Sequence, residues 1–478
     1  MKTKQKIMLV IPNAPPKEDS SKFIHFANED IEQKFEPPLG ILYIAAVLEK
    51  HGYAVEIIDN FSKRIPNKKL AQIILAKKPK ILGLSLFITN YASARELMAE
   101  IKRKDKEIII VTGGPFSTLY PEELINKPYI DFAVFGEGEE TLLEIADKLT
   151  AKKRLGKILG CFYKEGKKII RNPPRPFIKN LDSLPWPAWH LVNIDDYYRK
   201  KTLYLDVEPV DFICSSRGCP YACAFCSSKH IWNQIYRYRS AKSVCNEIEY
   251  MIKKYGMKGI HFREDNFTVN RQKVIDFCNE IKRRGINVIW QCESRADTLD
   301  EELVKMMYES GCRGIWFGLE SGSQKILDRL HKKLKIEQIK KAVDLCRKHR
   351  ITTGGSFMFG LPIETREDVK KTFEFAKSLN LNNVIFNKYV GIPKCELYDY
   401  AKKYKLYKEE QEGMLVIETP EFSAEELEKM QKWFNNYFRL RRIKKIFKMR
   451  SIIQYPQIFM RGIKLLKDLI VNKPKFKY

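Results

Sequence analysis

Two blocks of the chain alternate short apolar runs with stretches in which apolar residues recur at helical spacing. In the first 150 residues the runs are Ile7–Ile11, Ala54–Ile58, Ile81–Leu86, Ile108–Thr112 and Phe132–Phe135. Between them, Gly40–His51, Lys68–Lys77, Ala92–Arg103 and Glu139–Leu149 carry the 3.6-residue period. This alternation predicts an α/β unit over residues 1–155 with a parallel, doubly wound, Rossmann-like sheet. Such sheets bind ligands beyond the carboxyl ends of their strands. Those ends read Ser85-Leu86-Phe87, Gly113-Gly114-Pro115 and Gly136-Glu137-Gly138. One glycine pair is an ordinary turn, but three such turns on one edge point to a ligand site.

The second block has runs at Val210–Ile213, Gly259–Phe262, Val288–Trp290, Gly314–Phe317, Ser356–Phe359 and Val384–Phe386. Helical patterns at Val244–Tyr255, Gln272–Arg284, Glu301–Ser310, Ile336–His349 and Arg366–Leu379 separate them. Six βα units over residues 206–400 predict a partial (β/α)6 barrel, with chemistry gathered at the carboxyl ends of its strands. Residues 156–205 join the blocks through an expected hairpin at Phe162–Ile170 and a proline-rich strap with Pro173, Pro174, Pro176, Pro185 and Pro187. Residues 401–478 read as helical, opened by a capping box at Ser423–Glu426 and interrupted at Pro456 and Pro474.

Length and charge refine this picture. With 478 residues the chain needs several cores, and 44% hydrophobic with 30% charged residues is a globular balance. No window offers the roughly 18 apolar residues of a membrane span, and the first apolar run stops too early for a secretory leader, so a cytoplasmic protein is expected. The net charge is +27. From Lys429 to Tyr478 there are 15 Lys or Arg and a single acid, Asp468. Interleaved with Trp433, Phe434, Tyr437 and Phe438, that charge fits a basic amphipathic helix on an anionic membrane or a helical cap with a solvated face. Nucleic acid is the weakest of the three readings, because no recognition motif accompanies the charge.

Four of the 11 cysteines lie within Cys214–Cys226. The other seven, scattered through the sequence, are expected to be small buried side chains. Cys219, Cys223 and Cys226 have the spacing C-x3-C-x2-C. Three thiolates fill three corners of a [4Fe–4S] cubane and leave one iron open to a chelating ligand. The alternatives are a zinc site that recruits Cys214 as fourth ligand and a buried group of free thiols.

The string Cys219-x3-Cys223-x-Phe225-Cys226 resembles the signature of the radical S-adenosylmethionine (SAM) superfamily. To about residue 400 the chain is similar to the class with an N-terminal cobalamin-binding domain. The resemblance includes Pro37-Pro38-Leu39-Gly40, Gly113-Gly114-Pro115, Gly136-Glu137-Gly138-Glu139, Ser216-Arg217-Gly218-Cys219-Pro220 and Tyr238-Arg239-Ser240. It continues through Phe262-Arg263-Glu264-Asp265-Asn266-Phe267, Trp316-Phe317-Gly318-Leu319-Glu320-Ser321-Gly322 and Gly360-Leu361-Pro362-Ile363-Glu364-Thr365.

The resemblance implies that Cys219, Cys223 and Cys226 ligate the cluster and that SAM chelates its open iron. Phe225, Gly360 and Pro362 would border the adenine. Glu264 and Asp265 stand where the amino group is held, and Arg295, Glu320 and Ser321 would take the carboxylate or ribose. Ser85, Thr89, Gly113, Gly114, Glu137 and Gly138 are the cobalamin-contact candidates. No Asp-x-His-x-x-Gly is present, so cobalt is expected to lack a histidine beneath it. The implied reaction is reductive cleavage of SAM to a 5′-deoxyadenosyl radical, fed by a ferredoxin- or flavodoxin-type donor, with cobalamin carrying a methyl group to an unactivated carbon of a small or lipid-like substrate. Radical cyclisation, oxidation or rearrangement without methyl transfer is the alternative, ahead of a non-catalytic cobalamin-binding protein.

Overall fold

The computed structural model describes residues 5–13 and 36–447, apart from 198, 201, 203 and 412. The first sheet contains β1 (Lys6–Ile11), β2 (Ala54–Asp59), β3 (Ile81–Ser85), β4 (Ile109–Gly113), β5 (Phe132–Val134), β6 (Cys161–Glu165) and β7 (Lys168–Arg171), in the order β2-β1-β3-β4-β5-β6-β7. From β2 to β5 the strands are parallel, as the pattern predicted. Their runs are apolar on both faces because helices cover both. Ile7, Leu9 and Ile11 pack with the helices Leu39–Lys50 and Glu139–Thr150. Met8 and Val10 point the other way, into Asn67–Lys77 and Tyr91–Lys104.

The hairpin is present but is not part of a linker. β6 pairs antiparallel with β5, and β7 with β6, so residues 161–171 complete the edge of the first sheet. A local turn signal identifies a hairpin; which strand it joins depends on contacts made in three dimensions.

The second sheet is parallel throughout: β8 (Val210–Ile213), β11 (Gly259–Phe262), β12 (Ile289–Ser294), β13 (Cys312–Glu320), β14 (Thr352–Phe359) and β15 (Asn383–Lys388) lie in sequential order. β8 and β15 are its two edges, so the barrel is open. A small antiparallel pair, β9 (Ser216–Arg217) with β10 (Arg237–Tyr238), brackets the cysteine loop. Ile260, Phe262, Trp290, Ile315, Phe317, Phe357 and Phe386 form a buried outer row beneath the helices. On the inner face His261, Glu293, Trp316, Ser356, Met358 and Asn387 remain half-buried.

Beyond the barrel the expectation of helix throughout is corrected. β16 (Val390–Gly391), β17 (Tyr407–Gln411) and β18 (Met414–Ile417) form a three-stranded antiparallel sheet. Tyr407–Gln411 turns back through Gly413, at φ +83°. The helix Ala424–Phe447 follows, with Glu426 N donating to the Ser423 hydroxyl at 3.2 Å. Its aromatic face packs on the barrel: Phe434 and Phe438 lie 4.8 and 5.7 Å from Phe386, and Trp433 and Tyr437 each lie 5.2 Å from Phe373. These four aromatics therefore belong to a helix that caps the barrel. The rest of the basic segment, with Pro456 and Pro474, lies outside the described residues. Among the described residues no helix is long and apolar enough to cross a membrane.

Candidate active site at the carboxyl ends of two sheets

The cysteine loop leaves β8 and is anchored at its middle. Ala224 N donates to Leu330 O at 3.0 Å, and Leu397 N donates to Ala224 O at 3.2 Å. Within the loop Cys226 N bonds Cys223 O at 3.1 Å, and Ser228 N donates to Cys226 Sγ at 3.4 Å. Cys219, Cys223 and Cys226 lie within electrostatic reach of one another. Burial raises the Cys219 thiol and pushes Cys226 up to about 12. Thiols in such surroundings become thiolates when a metal centre displaces the proton.

Cys214 does not join the three. Its thiol donates to Ser216 O at 3.0 Å, and its charged neighbours are Glu264, Arg217, Arg239 and Lys273. Without Cys214 the loop offers three thiolates, one short of a closed tetrahedral zinc site and the number that leaves one iron of a cubane open. The other seven cysteines are all buried, as expected of apolar filler.

The two neighbouring carboxylates have different surroundings. Glu264 is buried and turned under the loop. Its Oε1 accepts from Ser215 N at 3.0 Å and Ser215 Oγ at 2.6 Å, while Oε2 accepts from Ser216 Oγ and, at 3.1 Å, from Lys273 Nζ. With both oxygens so engaged, Glu264 braces the root of the loop and is not free for an amino group. Asp265 faces outward. It accepts from Ser228 Oγ at 2.8 Å and lies within electrostatic reach of Cys219 and Cys226.

Arg295 stacks 3.8 Å from the Tyr221 ring, inside the cysteine loop. It donates to Asp297 at 2.9 and 2.8 Å and to Lys332 O at 2.6 Å. Glu320 adopts φ +64° and accepts from Lys332 Nζ at 2.8 Å. Lys332 escaped the sequence reading, since nothing local marks it. It is buried 5.9 Å from the half-buried Phe225 ring. Burial acts to lower its pKa, but Glu320 and Cys223 outweigh that and raise it.

Three candidates are occupied by packing. Ser321 is fully buried, with its hydroxyl 2.9 Å from that of Thr372 and accepting from Ser323 N. Gly360, at φ +70°, would place a Cβ 2.6 Å from the Leu427 side chain, so the helix Ala424–Phe447 accounts for that glycine. Pro362 is buried beside it.

On the first sheet Ser85, Thr89 and Gly113 are half-buried at the strand ends. Gly114, at φ +88°, packs against Leu86 O, 2.9 Å from its ideal Cβ, and a Cβ at Gly138 would meet Ile44 at 3.0 Å. Asn90, also missed in the sequence, organises this edge. Its Oδ1 accepts from Phe87 N at 2.8 Å, and its Nδ2 donates to Ser85 O at 3.2 Å. Thr118 bridges the next two turns, donating to Gly114 O at 3.0 Å and accepting from Gly136 N at 3.1 Å. Phe87 stands exposed at the same edge. His51 bonds Val47 O at 2.8 Å on the helix Leu39–Lys50, and His25 lies outside the described residues.

Glu137, a cofactor-contact candidate, is engaged within the protein. It is buried and accepts from Arg217 and Arg237 and, at 2.7 Å, from Ile178 N. Arg217 also donates to Glu139 Oε1 at 2.7 Å. The turn after β5 is therefore fastened to the strand that leads into the cysteine loop. Arg239 adds to the seam through the Cys214 carbonyl at 3.2 Å and the Tyr43 hydroxyl at 3.4 Å. Nearby, Arg263 on the barrel donates to Glu36 at 2.8 Å. The helix Gly114–Leu119 also packs against Ser228–Trp232. The ligand edges of the two sheets face each other.

Comparison with known proteins agrees with both halves of this arrangement. Residues 33–146 match the family model described as B12 binding domain, and residues 213–376 the one described as Radical SAM superfamily. An uncharacterized methyltransferase of Pyrococcus horikoshii is 34% identical over 397 residues, spanning 83% of each chain. The anaerobic magnesium-protoporphyrin IX monomethyl ester cyclase of Rubrivivax gelatinosus is 27% identical over 431 residues, spanning 88% of this chain and 75% of that protein. The structure of the cobalamin-dependent S-adenosylmethionine radical enzyme OxsB, with aqua-cobalamin and S-adenosylmethionine bound, aligns with a TM-score of 0.75 at 17% identity. That alignment covers 98% of this chain and 72% of that one.

Proposed function

Because this chain belongs to the radical SAM superfamily and carries a B12-binding domain ahead of its radical SAM domain, we propose that it is a cobalamin-dependent methyltransferase acting on an unactivated carbon. One observation supports this reading above the others: the loop carrying Cys219, Cys223 and Cys226 leaves the carboxyl end of β8 in an open barrel and is joined through Arg217 to the ligand edge of the first sheet.

Cys219, Cys223 and Cys226 would hold the [4Fe–4S] cluster, and the turns at Ser85, Thr89, Gly113, Gly114 and Gly138 would receive cobalamin. Asp265, open beside the thiols, is the residue best placed for the amino group of SAM. Arg295 and Lys332 supply positive charge for its carboxylate, and Phe225 a ring near its adenine. When bound, these groups supply low-potential electron transfer, a carbon-centred radical and a methyl carrier. The chain's own task is to orient the reactants and exclude water. The half-buried inner row of His261, Glu293, Trp316, Ser356, Met358 and Asn387 mixes polar and apolar contacts, which suits a small molecule with an apolar body and a few polar groups. A ferredoxin- or flavodoxin-type reductant completes the system. A cytoplasmic location fits this chemistry, and any peripheral membrane contact would fall to the basic residues after Phe447.

The test is incubation of the reconstituted protein with SAM carrying a CD3 methyl group, followed by mass spectrometry of the products. A deuteromethylated product supports methyl transfer. Accumulation of 5′-deoxyadenosine without label favours cyclisation, oxidation or rearrangement, a reading that the cyclase name of the Rubrivivax relative keeps in play. No SAM cleavage by reduced protein sinks both readings in favour of a non-catalytic cobalamin-binding protein. Cys223→Ala is expected to lose the brown chromophore and SAM cleavage together.

A further inference from the structure

Two of the sequence motifs meet in a buried seam between the sheets. Arg217 lies two residues before Cys219, and its guanidinium forks: Nη1 donates to Glu137 Oε1 and Nη2 to Glu139 Oε1, each at 2.7 Å. Arg237, its cross-strand partner, donates to both oxygens of Glu137 at 2.9 and 2.8 Å. The four side chains are between 4% and 11% exposed.

The strand carrying Arg217 has little freedom. Gly218 sits at φ +87°, where a Cβ would lie 2.1 Å from Ile235 O, so β9 and the segment before β10 are pressed backbone to backbone. On the other side Glu137 and Glu139 flank Gly138, and Gly136 is tied through Thr118 to Gly114. Desolvated charges are tolerated only in their paired geometry. Whatever orders the 136–139 turn therefore orders Arg217 and, through it, the approach to Cys219. Linkage makes the effect reciprocal.

We propose that Arg217 is a positioning residue that couples the two cofactor sites, so that cobalamin at the edge of the first sheet tightens the cysteine loop's hold on its cluster. The coupling rests on the cofactor assignment proposed above.

The experiment follows loss of cluster iron from the anaerobically reconstituted full chain to a ferrous chelator, with and without hydroxocobalamin. It compares wild type with Arg217→Gln and Arg217→Lys. Cobalamin is expected to slow iron loss about five-fold or more in wild type. Arg217→Gln is expected to load both cofactors yet lose that protection. Arg217→Lys keeps the charge but cannot fork and should retain part of it. A merely structural role would speed iron loss equally with and without cobalamin.

Equal protection in wild type and Arg217→Gln, or none in wild type, overturns the coupling. Failure of the wild type to take up cobalamin or iron overturns the assignment beneath it. Should Arg217→Gln not fold, Glu139→Gln carries the same comparison: reduced protection supports the coupling and unchanged protection overturns it.

Discussion

Lys332 Nζ lies 2.8 Å from Glu320 Oε1, with both side chains buried at the carboxyl end of β13. Glu320 holds a left-handed backbone where the β13–β14 register slips between Gly318 and Glu320. Such a conformation costs a non-glycine residue about 1–2 kcal/mol, and sites that retain such strain are often functional. Lys332→Met leaves Glu320 buried without its counter-charge and is expected to destabilise the protein by about 3 kcal/mol. Adding Glu320→Gln should restore most of that loss. Denaturant unfolding of both variants measures it; a single variant within about 1 kcal/mol of wild type would contradict a buried pair.

Glu264 and Asp265 are adjacent but should fail differently. Glu264→Ala strands Lys273 in the interior and releases Ser215 and Ser216, so low iron content after reconstitution is expected. Asp265→Asn should fold and take up iron normally, yet bind SAM about ten-fold more weakly, since a hydrogen bond to a charged group is worth about 1.5–3 kcal/mol. Iron analysis and SAM titration separate the two; the opposite pattern would reverse the assignment.

Glu364 is buried, with Oε2 accepting from Leu361 N at 3.0 Å and Oε1 without a partner among the described residues. Burial raises its carboxyl from 4.5 to about 8. The folded state therefore binds the extra proton. The group's contribution to stability is complete below about pH 4.5 and is lost as pH rises through about 8. Glu364→Gln, neutral at every pH, should remove a slope of up to about 1.4 kcal/mol per pH unit across that window. Unfolding midpoints at pH 5, 6.5 and 8 test this, and parallel profiles for the two proteins would refute it.

Asn435 seals the edge of the second sheet. Its carboxamide accepts from Phe386 N and donates to Phe386 O, both at 2.9 Å, as a neighbouring strand would. Asn435→Ala leaves Phe386 N–H unpaired, while Gln431 Nε2 still donates to Phe386 O at 3.2 Å, and a loss of about 1–2 kcal/mol is expected. Denaturant unfolding measures it; unchanged stability would mean that water serves Phe386 N–H equally well.

Up to the last strand of the barrel, the order of the main strands and helices, the parallel sheets and the three-cysteine loop were legible in the sequence. Each rests on local periodicity or on spacing within a few residues, so one-dimensional patterns suffice. The apolar runs on the strands and the helical stripes between them hardly allow another arrangement. The C-x3-C-x2-C spacing likewise singles out Cys219, Cys223 and Cys226 from the seven scattered cysteines.

Tertiary structure alone decided which polar residues face the chemistry and which hold the frame. Gly136-Glu137-Gly138-Glu139 looks like a ligand turn until Arg217 arrives from 80 residues away to pair with Glu137. Glu264 looks free until Lys273 and two serines close around it, and Gly360 looks like a cofactor contact until Leu427 occupies the space. Lys332 has no motif at all. The role of a buried charge is set by its partners, and those partners come together only when distant segments of the chain pack.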